Sequence, residues 1–410
     1  MRCLIHDFAG HPFQVQLSRE LATRGHHVMH AFPTGLPGPK GRLQKSESDP
    51  ARLSICPIPL SGSFRKYSPS RRFVTQRKYA RDLKALLSEH KPDVVLSGNT
   101  PIDVQGELLW HCRRNNIGFV HWVQDVYCHA IEFFLRRKFK GLAKPLSMPF
   151  RSLENIVVSK SSSTVVIAPA FKTLLTEWGI PESKIRILEN WAPLDEVPRL
   201  PRRNAWAAEH GLEDKPVFLY SGTLGLKHRP DLLYDIAKTL GNACKVVLIS
   251  EGVGRDFLEK MPPLDNLLLL DFQPYNRLPE VLASADVLLA TLEADAGQFA
   301  VPSKILTYLC AGRPVLLAAP KANLAASVVQ RSQGGMVVDP DNPAAWLEAA
   351  QKLCFSEELR TELARNARHY AEETFDIKKI GSAFEETLIN ACERTAAVLS
   401  IQTAPEHLQS

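Results

Sequence analysis

Residues 299–318, FAVPSKILTYLCAGRPVLLA, place a hydroxyl and a cation directly in front of an apolar run. The hydroxyl belongs to Ser303 and the cation to Lys304; the run stops at Gly312, and Pro314 opens a second apolar run. This pattern predicts a loop, a helix and a buried strand. Because a helix N-terminus offers unpaired N–H groups, Ser303 and Lys304 beside it would suit a phosphate group. The alternative is an ordinary helix cap with a solvated lysine.

The elements that must position this segment alternate between strands and helices along the chain. In the first half the predicted strands are RCLIHDF, HVMHAF, PDVVLSG, GFVHWVQD and STVVIAP, and the helical patterns between them include residues 130–159. In the second half the predicted strands are PVFLYSG, CKVVLIS, NLLLLDF, DVLLATL, PVLLA and GGMVVDP. This alternation predicts an α/β chain with two Rossmann-like, doubly wound parallel sheets.

A stretch of prolines and mixed charges, LENWAPLDEVPRLPRRNAW, separates the two halves. It predicts a first domain over 1–195 and a second domain over 196–375. We expect a C-terminal helix over 376–398 that returns to the first domain, and a frayed tail over 399–410. Ligands of such sheets bind outside the carboxyl ends of the strands, so the expected site is a cleft where the two domains face each other.

Cysteine usage and hydropathy place the chain in a broad class. The eight cysteines are scattered and none forms a C-x-x-C pair, which predicts reduced thiols in a cytoplasmic protein and argues against structural zinc. Met1 leads directly into a strand pattern, and no apolar stretch is long enough to span a bilayer. We therefore expect a protein that is soluble or bound to a membrane surface.

Positive charge is concentrated in the first half of the chain. Residues 1–150 contain 23 Lys and Arg against 11 Asp and Glu, a net charge of +12, whereas the whole chain carries +6. Two stretches, 63–84 and 133–154, mix these charges with Phe, Leu and Tyr, which suits the anionic inner face of the plasma membrane. The alternative is two solvated helix faces. No motif for nucleic-acid binding accompanies the charge.

The second half resembles the donor domain of family 4 retaining glycosyltransferases, which have the GT-B fold. Four segments carry the resemblance, in the order and at the spacing of the family: YSGTLGLKHRPDLL, LISEGVGRDFLEK, NLLLLDFQPYNRLPEVLASADVLLATL and PSKILTYLCAGRPV. The resemblance implies a nucleotide-sugar donor and no bound metal, because a helix dipole and basic side chains take the place of the metal. Asp339 and Asp341 are accordingly expected to form a turn rather than a metal site.

The same resemblance assigns donor-binding residues to this sequence. The base would contact Phe272 and Gln273. Two glutamates of the family, eight residues apart, are replaced by Phe299 and Thr307, and the basic pair of its glycine-rich loop is shifted, so the diphosphate is expected to rest chiefly on lysine and arginine. The full set implied for the donor and its phosphates is Gly10, Gly222, Thr223, Lys227, Arg229, Ser303, Lys304 and Thr307.

In the first half, HDFAGHPFQVQLSRELATRGHHV resembles the first loop and helix of the family. Gly10 would let the backbone approach the donor, and His11 is either an active-site donor or a turn residue. HWVQDVYCHAIEFFL and LENWAPLDEV resemble the branch that includes colanic-acid fucosyltransferases and related exopolysaccharide enzymes. This branch resemblance makes Gln124 and Asp125 candidate catalytic residues at a strand end; the alternative for Asp125 is a capping residue at the start of the loop.

These patterns together predict a retaining, hexosyltransferase-like enzyme that transfers a sugar from a nucleotide sugar to a lipid-linked glycan in polysaccharide assembly. Two other functions stay open. A nucleotide-sugar epimerase of the same fold would need acid and base residues around the sugar. A degenerate transferase that serves as a membrane-bound assembly subunit would account for the missing glutamates. The sequence leaves the sugar, the base and the acceptor undefined.

Overall fold

The structure is a computed structural model that describes residues 1–36, 41–60, 69–138, 141–294 and 303–403. Within these ranges the side chains are described except at residues 69–72, 133, 137, 138, 227 and 398–403. Contacts divide the chain into two units, one formed by Met1–Asn190 with the segment from Ile377 onward, and one formed by Trp191–Asp376. Each unit holds one parallel sheet with helices packed against it, so the predicted α/β class with two doubly wound sheets is confirmed.

The first unit has a seven-stranded parallel sheet within its described residues. Its strands are β1 (Arg2–Asp7), β2 (His27–Thr34), β3 (Leu53–Pro59), β4 (Val94–Gly98), β5 (Gly118–Val123), β6 (Ser163–Val166) and β7 (Ile185–Ile187). Their spatial order is β3-β2-β1-β4-β5-β6-β7. The helices between them are α1 (Pro12–Thr23), α2 (Pro69–His90), α3 (Ile102–Arg114), α4 (Tyr127–Lys138), α5 (Ala143–Lys160) and α6 (Pro169–Glu177).

The central strands of this sheet are buried on both faces. Every residue of β4 and β5 is buried, as expected for continuous apolar runs covered by helices on both sides. Two details correct the sequence analysis. The helical region at 130–159 is two helices, α4 and α5, with Gly141 between them. The strands β3 and β7 were not predicted, and α2 was expected only under the alternative of a solvated helix face over 63–84. The α2 sequence is dominated by polar and basic side chains, so its apolar period is weak.

The second unit has a six-stranded parallel sheet in the order β10-β9-β8-β11-β12-β13. The strands are β8 (Val217–Ser221), β9 (Lys245–Ile249), β10 (Leu267–Leu270), β11 (Val287–Thr291), β12 (Val315–Ala318) and β13 (Gly335–Val338). The helices are α7 (Ala205–Glu209), α8 (Pro230–Leu240), α9 (Val253–Leu258), α10 (Leu278–Ala283), α11 (Lys304–Cys310), α12 (Leu324–Ser332), α13 (Pro343–Phe355) and α14 (Glu357–Thr374). All strands predicted for this half are present.

The last helix, α15 (Ile377–Thr403), packs against the first unit. Phe384 is fully buried, and its ring centre lies 4.7 Å from that of Trp122 on β5. Glu385 accepts hydrogen bonds from Arg24 at 2.9 Å and from His26 at 2.6 Å. The helix continues to Thr403 rather than ending near 398, and residues 404–410 of the predicted tail lie outside the described residues.

Because Phe384 fills space between α15 and the first sheet, Phe384→Ala should destabilise the first unit by about 3–5 kcal/mol. Hydrogen exchange followed by mass spectrometry should show faster exchange in β4 and β5 while the strands of the second unit keep their protection. Ile389→Ala on the same helix is the matched control, since Ile389 is 41% exposed. Equal loss of protection in both units would contradict the assignment of α15 to the first unit.

Candidate functional site

The strand order of the second sheet reverses between β8 and β11, and ligands of doubly wound sheets bind at such a switch point. Gly222 follows β8 directly and has a backbone φ angle of 135°, which residues other than glycine rarely adopt. A Cβ atom at this position would lie 2.8 Å from Nζ of Lys304, the first residue of α11. The glycine therefore leaves the space that the lysine ammonium fills.

Lys304 is held over an aromatic ring at this switch point. Its Nζ lies 3.7 Å from the ring centre of Tyr220, on β8, within cation–π range. The ring is fixed because the Tyr220 hydroxyl donates to the carbonyl of Thr223 at 3.0 Å. Beside it, the hydroxyl of Tyr308 accepts from the Ser221 N–H at 3.1 Å and donates to the Ser221 carbonyl at 3.2 Å. Two tyrosines thus anchor the strand end beneath the ammonium group.

The positive charge of Lys304 has no carboxylate within ion-pair distance among the described residues. Burial lowers the pKa of Lys304 to about 7. A group of this kind gains stability from an anion, because the anion supplies the charge compensation that water no longer gives. The arrangement is therefore suited to binding an anionic ligand at the end of β8.

The residues next to Lys304 show which parts of the predicted loop face solvent. Ser303 is exposed and its hydroxyl makes no cap bond to α11, which has seven residues. Thr307 is half-buried one turn further along the helix, and Thr223 is exposed. Phe299, where the family has its first glutamate, lies outside the described residues. Ser303 and Thr223 are thus open to a ligand, with Lys304 beside Gly222.

The other two predicted cations of this loop have different surroundings. The Lys227 side chain lies outside the described residues. The Arg229 guanidinium donates to both oxygens of Asp231 at 2.8–3.0 Å and to the carbonyl of Pro340 at 2.7 Å. Asp231 therefore already neutralises much of the Arg229 charge. The role of Arg229 at a diphosphate stays a prediction. His228 accepts from the Gly225 N–H at 2.9 Å and shapes the loop.

The second glycine loop, after β9, is explained by packing between loops. The Gly254 N–H donates to the carbonyl of Leu224 at 2.8 Å, and the Leu224 N–H donates to the carbonyl of Glu251 at 2.9 Å. A Cβ atom on Gly254 would lie 2.7 Å from the Leu224 side chain. These glycines hold the loops after β8 and β9 together.

Asp339 accepts a hydrogen bond from the Asp341 N–H at 2.9 Å, which forms the turn that the sequence predicts.

The two predicted base-binding residues follow β10. Phe272 is 40% exposed, so its ring face is open to a stacking partner. The Gln273 side chain accepts from the indole N–H of Trp206 at 3.1 Å and donates to the carbonyl of Asp271 at 3.0 Å. Gln273 is thus engaged in holding α7 beside the loop, which leaves Phe272 as the freer of the two.

In the first unit the corresponding reversal lies between β1 and β4. Asp7 ends β1, is fully buried, and accepts from the N–H groups of Ala9 at 2.9 Å and of His11. Burial raises the pKa of Asp7, while these bonds oppose the rise. The carboxylate therefore fixes the loop that carries Gly10, whose φ is 76°. The His11 ring stacks on Phe13 with a centre distance of 5.5 Å.

Gln124 directly follows β5, and its side-chain amide exchanges hydrogen bonds with the side-chain amide of Asn190. Gln124 donates to Asn190 at 3.0 Å, and Asn190 donates back at 2.6 Å. The amide group of Gln124 is thereby committed to the segment that leaves the first unit. Asp125 is exposed beside it. Glu154, buried on α5, accepts from the N–H groups of Tyr127 at 2.9 Å and Cys128 at 2.8 Å, so it caps α4 just after Asp125.

Several buried polar residues near β1 and β4 were missed by the sequence analysis. His6 bonds to Tyr79 and Ser97, each at 2.9 Å, and burial lowers the pKa of His6 to about 3, so it stays neutral. Gln14, at the start of α1, is fully buried against Gly98, and neither of its amide atoms has a hydrogen-bond partner among the described residues. In the sequence, the one indication that Gln14 lies near the site is its position shortly after the Gly10 loop.

Comparison with known proteins agrees with this architecture. Residues 14–196 match the family Glycosyltransferase Family 4, and residues 202–370 match the family Glycosyl transferases group 1. Each match covers less than half of the chain, and the two lie one after the other, so the chain is similar to both glycosyltransferase families and has the GT-B fold. The family resemblance expected from the sequence is confirmed at this level, whereas the colanic-acid branch and the retaining outcome stay predictions.

Individual relatives are more distant. The chain is 26% identical over 272 residues to the probable glycosyltransferase WbjE of Pseudomonas aeruginosa, which covers 64% of this chain and 66% of that protein. It is 25% identical over 174 residues to the alpha-D-kanosaminyltransferase of Streptomyces kanamyceticus, covering 40% of this chain and 43% of that protein. The chain thus matches less than two thirds of the length of either curated relative.

Solved structures share the fold over nearly the whole chain. Sucrose-phosphate synthase from Thermosynechococcus elongatus has a TM-score of 0.72 at 15% identity and covers 94% of this chain and 98% of that one. HepE from Anabaena in complex with UDP-glucose has a TM-score of 0.66 at 14% identity and covers 95% and 99%. These similarities establish the fold.

The titration of Lys304 generates a testable expectation. With a pKa of about 7, Lys304 is charged below that pH and neutral above it. Sulfate, which keeps its charge between about pH 6 and pH 9, should therefore bind more weakly as the pH rises through this interval. Lys304→Arg keeps the cation and should flatten the dependence. A pH-independent affinity in the original chain, measured by calorimetry, would remove Lys304 from the anion site.

Proposed function

We propose that the chain transfers a sugar from a nucleotide-sugar donor to a glycan acceptor with retention of the anomeric configuration. The observation that carries the proposal is the Lys304 ammonium, which lacks a carboxylate partner among the described residues and sits at the switch point of the second sheet. A nucleoside diphosphate leaving group is the anion that this reaction releases there. The UDP and UDP-glucose bound by the Anabaena protein support the choice of donor.

In the reaction, the bond between the sugar C1 and the diphosphate oxygen breaks while a bond from C1 to an acceptor hydroxyl oxygen forms. The leaving diphosphate gains negative charge, and Lys304 stabilises that charge from a site prepared before the reaction. Ser303 and Thr223 contribute hydroxyl groups on the exposed side of the same loops. Family 4 resemblance supports front-face attack, in which the acceptor approaches from the leaving-group side and no enzyme nucleophile is used.

Donor binding can be tested directly by calorimetry with UDP-, GDP- and dTDP-sugars. We expect one nucleotide to bind and Lys304→Met to lose a charge-assisted interaction of about 1.5–3 kcal/mol, a drop in affinity of about 10- to 150-fold. Lys260→Gln removes an exposed charge of the same unit and should leave the affinity unchanged. If no nucleotide sugar binds, or if Lys304→Met binds as tightly as the original chain, the donor assignment fails.

We place the acceptor near Asp125. This carboxylate is exposed at the end of β5, and two buried groups define its surroundings: Gln124 is locked to Asn190, and Glu154 caps α4 directly behind it. An exposed carboxylate on such a supported strand end can orient an acceptor hydroxyl or receive its proton. The branch resemblance of the HWVQD segment supports an exopolysaccharide acceptor.

Asp125→Asn should lower turnover by about 10²–10⁴-fold, because the amide keeps the shape but cannot accept the proton. Donor affinity should stay unchanged in the same preparation. The product is to be analysed by NMR, where an anomeric configuration equal to that of the donor supports retention. A product formed from donor alone would indicate an epimerase, and near-normal turnover of Asp125→Asn would leave this residue as a structural one.

We also propose that the first unit binds the anionic inner surface of the cytoplasmic membrane, which would bring it to a lipid-linked acceptor. Helices α4 and α5 and the residue before α5 expose apolar side chains, with exposed fractions between 41% and 62%: Phe134, Leu142, Leu146, Met148 and Phe150. A groove of about 350 Å³ beside them is lined by Arg136 and Lys144. Apolar groups next to cations suit insertion among anionic headgroups. Within the described ranges, no helix is long and apolar enough to cross a bilayer.

Sedimentation with anionic vesicles tests this surface. The chain should bind vesicles rich in phosphatidylglycerol at low salt and leave them as salt rises, since each cation contributes about 1 kcal/mol that salt screens. Replacing Arg136, Lys144 and Arg151 with Gln should weaken binding by about 100-fold. Replacing Lys238, Lys260 and Arg365 with Gln removes equal charge from the second unit and should have no such effect. Binding that is equally strong in both triple variants would contradict the proposed surface.

A further inference from the structure

The outer face of the first unit carries a groove of about 750 Å³ between α2 and α3. It is far from the residues assigned above, because both helices run back from the carboxyl edge of the sheet. The end of α2 lies at the opposite edge, where the guanidinium of Arg2, the first residue of β1, donates to the carbonyl of His90. The principal lining residues are Arg81, Lys84 and Ser88 on α2 and Glu107, Trp110 and Arg114 on α3.

The two helices present matching faces to the groove. The α2 set is spaced by three and then four residues: Arg81, Lys84 and Ser88. The α3 set has the same spacing: Glu107, Trp110 and Arg114. This spacing places each set on one side of its helix. Lys84 donates to Glu107 at 2.6 Å and joins the two faces. This ion pair neutralises the two central charges, and the net positive charge of the groove therefore comes from arginine.

Trp110 gives the groove an aromatic surface. Its side chain is 46% exposed, whereas four of the other five tryptophans are buried and Trp178 is half-buried. Ala85, on the facing helix, is too small to cover the indole. An exposed tryptophan beside polar groups is an unusual use of a large apolar side chain on a surface, and it offers a flat face for a ring to stack on.

Unpartnered polar groups lie at both ends of this aromatic face. Arg81 and Arg114 are exposed and have no ion pair within the part of the chain that the structure describes. Nε2 of His111 is buried in the wall of the groove and has no hydrogen-bond partner among the described residues. Burial and the charge of Lys84 lower the pKa of His111, so the ring is neutral and can accept or donate one hydrogen bond.

We infer that this groove binds a segment of an acidic glycan. One sugar ring stacks on Trp110, carboxylates on neighbouring residues of the glycan pair with Arg81 and Arg114, and a hydroxyl group bonds to Glu107. No nucleic-acid-binding motif accompanies these basic residues in the sequence, so a nucleic acid fits less well than an acidic glycan. The choice of a glycan as the ligand rests on the proposed function. The existence of the binding site rests on the groove residues alone.

The probe is tetragalacturonate, with maltotetraose as the neutral control. Tetragalacturonate should quench the exposed Trp110 fluorescence and bind at least about tenfold more tightly than maltotetraose. Trp110→Ala, and separately Arg81→Gln with Arg114→Gln, should each weaken calorimetric binding by about tenfold or more. Lys238→Gln with Lys260→Gln is the matched charge control and should bind normally. Circular dichroism establishes that the variants are folded.

The proposal is overturned if tetragalacturonate does not bind, or if the Trp110 and arginine variants bind it normally. It is also overturned if a single-stranded oligonucleotide or a poly-glutamate peptide binds the groove more tightly, since the site would then recognise another class of polyanion. The measurement uses no donor, so its failure would leave the transferase proposal intact. Conversely, failure of sugar transfer with normal tetragalacturonate binding would leave the groove as a glycan site without the proposed chemistry.

Discussion

The candidate site of the second unit centres on one interaction, the contact between the Lys304 ammonium and the ring of Tyr220. Among the described residues this cation has a ring face and no carboxylate beside it, and its partial burial lowers the pKa of Lys304. The surroundings are built to tolerate it. Gly222 leaves the space, Thr223 fixes the tyrosine hydroxyl, and Tyr308 holds the strand end from below. A site that is destabilised without its ligand has free energy to gain when an anion arrives.

The first unit uses the opposite device at its own switch point. There the buried group is the carboxyl of Asp7, which accepts hydrogen bonds from backbone N–H groups and holds the loop of Gly10 and His11 in one conformation. Neutral His6 lies beneath it, bonded to Tyr79 and Ser97. These bonds make the loop rigid without leaving a charge for a ligand. The two switch points therefore differ. The one in the second unit presents a charged group to a ligand, and the one in the first unit holds a loop in a fixed conformation.

The fold was largely predictable because its signals are local. Short apolar runs such as VVLSG and VLLATL, rich in Val and Leu, favour buried strands, and their alternation with helices favours a parallel sheet. The misses follow from the same rule: α2 is polar and β7 has three residues, so neither has a strong apolar period. The site was predictable in part. Lys304 and Gly222 belong to recognisable segments, but no local pattern reveals that they touch, since that contact joins residues from two distant loops.

Partner choice among polar side chains was the least predictable feature. Arg229 and Lys304 are both cations next to glycine loops in the sequence, yet Asp231 neutralises the first while no carboxylate pairs with the second among the described residues. Gln124 and Asp125 are adjacent in the sequence, yet one amide is committed to Asn190 and the neighbouring carboxylate is exposed. Such differences depend on which distant groups the fold brings near, and no propensity or spacing rule encodes them.

The path of α15 has a consequence for how the chain is made. The first unit consists of residues from both ends of the sequence, so the whole second unit is an insertion between its body and its last helix. A ribosome that has released β1 to β7 has released Phe13, one aromatic neighbour of Trp122, but not yet Phe384, so the apolar surface that α15 covers stays open until that helix emerges. The second unit, by contrast, is continuous in sequence and can complete its fold first. The first unit therefore needs residues from the end of the chain to complete its core, although its synthesis begins first.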